Sequence, residues 1–153
     1  MIPSASPRHR SVERGEITWV TVVLLLALVT AGYLAVVWGP VYIVRYEAGM
    51  VAAEFANKAV HDRDDASLVR SLCVRLAALD QVKAPGSDGS SSMVPAVDVQ
   101  PDDVTWERDT AVSPPTIHVA FEYTTSVYYP ILERFTEKTF AIDRFQDIQP
   151  AKW

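Results

Sequence analysis

Apolar positions along this chain change period twice. From Ile17 to Val44 no residue is charged, and Val and Leu dominate. About 20 apolar residues cross the hydrocarbon core of a bilayer, so this run predicts a transmembrane helix over 17–40. Trp19 and Trp38 stand 19 positions apart; at about 1.5 Å per residue that spans close to 30 Å, the thickness of that core. Indole and phenol rings favour the headgroup level, which makes Trp19, Trp38 and Tyr42 the expected membrane-interface residues. Gly39-Pro40 predicts a kink or break, because proline removes a helical hydrogen bond.

Beyond the span the period becomes helical. Val44, Ala48, Val51, Phe55 and Ala59 form one stripe, predicting a helix over 41–61. His61-Asp62-Arg63-Asp64-Asp65 interrupts it. Asp64 or Asp65 can cap a second helix over 66–80, whose Leu68, Leu72, Leu76 and Leu79 share a face. Residues 83–93 read as a flexible loop by their Pro, Gly and Ser content. The period then falls to two. Val97 and Val99 predict the start of a short strand, which can run on through Val104 and Trp106 after a break at Pro101. Ile117, Val119, Phe121, Tyr123, Thr125 and Val127 predict a longer one with one buried face. Tyr129-Pro130 ends that strand, and a last strand is expected from Lys138 to Phe145. The fold class is therefore α+β: an N-terminal transmembrane helix, then two further helices packed on a small antiparallel β-meander. The domains follow as a tail, 1–16, the span, 17–40, and an extracytoplasmic domain, 41–153.

Charge assigns a side to each part. Residues 1–16 hold three Arg and two Glu, and residues 45–153 hold 11 basic against 17 acidic residues, in a chain of net charge −5. Arg8, Arg10 and Arg14 before the span, against Arg45 and Lys58 after it, place the N-terminus in the cytoplasm. The rival reading is a signal peptide cut near Val29-Thr30-Ala31, but the apolar run continues to Trp38. An acidic domain repels phosphate backbones, which excludes nucleic acid as the expected partner.

Candidate chemistry is sparse. Cys73, the single cysteine, lies within an apolar helical pattern and has no disulfide partner. His9, His61 and His118 are not at metal-ligand spacing. Asp62, Asp64 and Asp65 lack the glycine and the closing glutamate of a calcium loop. Ser90-Ser91-Ser92 lacks a strand-turn-helix elbow, and Glu107 and Glu122, which a sheet could bring together as acid and base, read as ordinary glutamates on a solvent face. No catalytic residue, cofactor, metal or small-molecule substrate is expected. The candidate protein contact is Tyr128, Tyr129, Ile131 and Leu132. The two tyrosines point to opposite faces of a strand, and one of them is left beside an exposed apolar pair.

Arg14-Gly15 and Thr18, followed by a Leu/Val-rich span ending in Pro40-Val41-Tyr42, resemble a group of uncharacterised proteobacterial inner-membrane proteins. These have a pilin-like beginning and a small periplasmic domain. Val119-Ala120-Phe121-Glu122-Tyr123 with Pro130-Ile131 is similar to that family's late strand. The resemblance implies a single-pass protein of the bacterial inner membrane with a periplasmic domain, and no reaction. Type IV pilins have a glutamate five positions after the processing glycine; here that position is Val20, and Glu16 follows Gly15 directly. The expected function is a membrane-tethered, non-enzymatic envelope protein acting as an interaction or assembly subunit, with the lipid bilayer and other envelope proteins as partners. The alternatives are a pilin-like or pseudopilin-like subunit of a secretion or pilus system, and a small-ligand sensor or enzyme.

Overall fold

The computed structural model describes residues 19–86 and 90–147. The tail expected at 1–16, with Arg14-Gly15 and the start of the apolar run, lies outside them. The chain divides into two compact units between Tyr33 and Leu34. In the first unit, the described residues are all helical and their apolar side chains are exposed.

Helix α1 covers Trp19–Lys58, with Pro40 inside it. Of the kink or break expected at Gly39-Pro40, the break is absent, and the helix expected over 41–61 continues the first one rather than standing as a further helix. Proline forfeits one backbone hydrogen bond. Just beyond it, however, Val41, Val44, Ala48, Val51, Ala52, Phe55 and Ala56 are buried, and packing of one face is what holds most helices together. One further helix follows, not two. It is α2, Asp65–Ala77, started by Asp64, whose carboxylate accepts the Ser67 N–H at 3.1 Å. Its leucines at 68, 72 and 76 are buried, as their spacing predicts.

Among the described residues, five strands complete the fold. β1, Gln81–Pro85, pairs antiparallel with β2, Ser91–Pro95. The expected loop over 83–93 is thus largely a hairpin, closed by Gly86 N–H donating to the Ser90 carbonyl at 2.6 Å. The second sheet is antiparallel in the order β3-β4-β5, with β3 at Thr105–Asp109, β4 at Thr116–Tyr129 and β5 at Arg134–Asp147. Val97 and Val99 are buried but belong to no strand, and a short 3-10 helix, Pro101–Asp103, separates them from β3. That corrects the strand expected at Val97 and Val99; the break expected at Pro101 and a strand through Trp106 are present. The expected meander is present, with β4 burying Ile117, Val119, Phe121, Tyr123, Thr125 and Val127 on one face. All of these but Thr125, with α2's leucines and the stripe of α1 beyond Pro40, form a single buried cluster.

An arginine absent from the sequence reading ties the elements together. Arg108 on β3 donates to the Ala59 carbonyl at 2.7 Å and to the Asp62 carbonyl at 3.0 Å, and pairs with Asp65. It thus satisfies carbonyls just beyond the end of α1 and grips the first turn of α2.

Candidate contact surface

The β4–β5 hairpin carries the four residues expected to touch a partner. Tyr129 pairs with Arg134 across the end of the ladder, and Pro130 to Glu133 form the turn. Leu132 N–H donates to the Tyr129 carbonyl at 3.2 Å, and Glu133 adopts φ 48°, the left-handed conformation that lets a short loop reverse the chain. The turn leaves Ile131 75% and Leu132 62% exposed.

The tyrosines before it part company. Tyr129 continues the buried face of β4 and packs against the core, its ring edge-on to Trp38 with centroids 6.5 Å apart. Tyr128 lies on the opposite face, 4.9 Å from the Phe135 ring, with Lys83 Nζ 5.5 Å over it. The structure therefore brings Tyr128 together with Phe135, one of the aromatic residues that crowd the last third of the sequence, and with Lys83, which the sequence reading missed. Cross-strand register makes Tyr128 and Phe135 direct neighbours, but register is set by the turn and could not be counted from sequence.

The interface residues expected from sequence are placed as follows. Trp19 opens α1 and is exposed. Trp38 and Tyr42 are one turn apart, their rings 6.1 Å from each other, and Tyr42 meets Phe140 edge-on at 6.0 Å.

The opposite sheet face holds a histidine between carboxylates. His118 Nε2 is 3.0 Å from Asp143 Oδ1 and Nδ1 is 3.7 Å from Glu107 Oε2, while Phe145 stacks on the imidazole at 4.1 Å. Both ring nitrogens thus face a carboxylate. Glu122 does not touch that histidine; with Asp103 and the same Asp143 it lines an acidic hollow of about 530 Å³. Among the described residues, no group of three or more His, Cys, Asp or Glu could hold a metal ion. Asp62 and Asp64 accept backbone N–H groups at 2.9 and 3.1 Å, and Asp65 holds Arg108.

Ionisation follows these surroundings. Burial opposes the charge of Asp65, but the Arg108 guanidinium outweighs it and holds the carboxyl below the usual range. The Trp106 indole N–H assists without closing a hydrogen bond. Burial pushes the Cys73 thiol up, away from the reactive thiolate. Burial also raises the Tyr123 phenol, opposed by the charge of Arg45, and its hydroxyl has no hydrogen-bond partner among the described residues.

No protein family, curated protein or solved structure matches this chain.

Proposed function

We propose that this chain is a membrane-tethered, non-enzymatic envelope protein of the bacterial inner membrane that works by contact, as an interaction or assembly subunit. The tether is the first part of α1. The tail is cytoplasmic, and the α+β domain stands on the periplasmic side. One observation carries the reading: α1 contains an 18-residue stretch of mean hydropathy 2.6 of which only 6% is buried. Such a surface is unfavourable in water, and lipid is the solvent that matches it. A periplasm-active reporter fused after Trp153 is expected to be active, with the chain resisting carbonate extraction. Activity of a cytoplasm-specific reporter at the same place reverses the orientation, and extraction by carbonate removes the tether.

Contact through the β4–β5 turn is the second half of the proposal. Ile131 and Leu132 are an apolar pair held out by a hydrogen-bonded turn, beside the ring pair of Tyr128 and Phe135. Aromatic and apolar side chains of this kind favour partner sites. Replacing Ile131 and Leu132 with serine is expected to leave the melting temperature unchanged and to abolish co-purification of partners from mild detergent. Unchanged co-purification refutes the surface.

One observation favours a pilin-like subunit as the second reading. α1 is a single helix with an exposed apolar beginning and a later stripe buried in a core with an antiparallel sheet, which suits a subunit whose free helix packs on copies of itself. Intact mass separates the two: a mature chain starting at Glu16 supports the pilin-like reading, and the full-length chain the simple tether.

A further inference from the structure

Just beyond Trp38, hydrogen-bond donors from two elements meet. Tyr42, Arg45 and Tyr46 on α1 and Arg144 on β5 line a cavity of about 400 Å³, together with Ala141, Ile142 and Asp143. Helical spacing puts 42, 45, 46 and 49 on one face. At Gly49 the missing side chain makes room for Arg144: a Cβ there would meet Arg144 Nη2 at 2.9 Å. Arg45 is steadied from another direction, its guanidinium 5.3 Å from the centre of the Phe140 ring.

Neither arginine has a hydrogen bond or ion pair among the described residues, although acidic residues outnumber basic ones in the chain, 19 to 14. The carboxylate of Asp143, the one acidic residue of the lining, is engaged with His118 on the opposite face of the sheet. Two arginines and two tyrosines thus line one hollow, and among the described residues no carboxylate pairs with either guanidinium.

We propose that this cavity binds a phosphate-bearing anion, and that in the assembled protein the phosphate belongs to an anionic lipid headgroup. The planar guanidinium fork matches phosphate oxygens bidentately, and Arg is more weakly hydrated than Lys, so it gives up water for such a ligand more readily. Placement selects the lipid. Tyr42 lies one helical turn past Trp38, and Arg45 about 10 Å past it along the axis, close enough for a long side chain to reach the headgroup layer. That choice of source rests on the membrane-tether reading; the anion site itself does not.

The test uses the full chain in a neutral detergent. It is titrated calorimetrically with short-chain phosphatidylglycerol, short-chain phosphatidylcholine and inorganic phosphate. Saturable one-to-one binding of phosphatidylglycerol is expected, with phosphatidylcholine and phosphate much weaker. Arg45→Gln and Arg144→Gln are each expected to weaken it about tenfold or more, the usual effect of losing a charge-assisted hydrogen bond. Both side chains are exposed and unpaired, so both variants are expected to melt as the parent does. Gly49→Ala is the control that keeps every charge: it displaces the Arg144 guanidinium and is expected to weaken binding without lowering the melting temperature. Inorganic phosphate binding as tightly as phosphatidylglycerol, and lost in the same variants, keeps the anion site and overturns the lipid source. Unchanged binding in both glutamine variants, or binding of none of the probes, overturns the site. Carbonate extraction separately reports on the tether, and the phosphate titration needs no bilayer, so the two readings fail independently.

Discussion

Two stretches of one helix differ in how much of their apolar surface the fold buries. Leu24, Leu25, Leu28 and Val29 are all more than half exposed, whereas Val44, Val51 and Phe55, on the same α1, are nearly fully buried. Both stretches are rich in apolar residues. They differ in where charge is allowed. The first has none on any side, as a helix surrounded by lipid requires. The second has Glu47, Glu54 and Lys58 off the buried stripe, as a helix with one wet face requires. A helix thus reports what surrounds it through the distribution of its polar residues more than through its mean hydropathy.

That contrast can be broken most forcefully at Phe55. It is 6% exposed. Phe55→Ala is expected to cost about 3–5 kcal/mol, read as a large drop in the melting temperature of the full chain in detergent. If melting is unmoved, the second stretch is not part of the core. Leu28→Asp probes the first stretch. A carboxylate at the middle of a span costs about 3 kcal/mol of insertion, so the chain should shift out of the membrane fraction while the melting of its domain stays the same. A destabilised domain with normal membrane partition would reverse the roles assigned to the two stretches.

Arg108→Ala comes next, at about 2 kcal/mol, the scale for losing hydrogen bonds to a charged group. It sharpens the contrast because Arg108 secures only the far end of the second stretch, where Ala59 and Asp62 offer their carbonyls. Membrane partition should be unaffected. The smallest effect concerns acid. The folded-state value of Asp65 is depressed, so its stabilisation is fully present above the ordinary aspartate range and is lost as pH falls through the lowered value. The parent should lose melting temperature over that acidic window more steeply than Asp65→Asn. Parallel curves would show that the Arg108 pair contributes nothing measurable.

Legibility in the sequence varied with the kind of signal. α2 and β4 were readable because their apolar residues repeat at a strict period and Asp64 stands where a cap is needed. β1 and β2 were not, since Ser-Ser-Met and Lys-Ala-Pro have weak strand preference and no residue of either strand is fully buried, Val82, Ala84 and Val94 alone turning inward. Val97 and Val99 teach the converse. Their alternation marked two buried side chains, yet no neighbouring strand pairs with that backbone, and periodicity reports burial rather than pairing. Of the contact surface, Ile131 and Leu132 could be named from sequence, but which tyrosine faced outward could not. Lys83 and the Arg45–Arg144 hollow gave no local signal, because each joins residues distant along the chain.

By itself, then, the sequence determined the apolar, charge-free stretch suited to a bilayer, the α+β order of elements and the principal buried faces. These depend on the spacing of residue types along a few turns or one strand, which is a local property. Only the tertiary structure decided that α1 runs unbroken past Pro40, that Arg108 joins the end of α1 to the start of α2, and that Arg144 lies across Gly49 beside Arg45. Each of these is settled by cross-strand register and by which helix face meets which strand. Register and facing follow from the summed packing of the whole core, and no single segment encodes them.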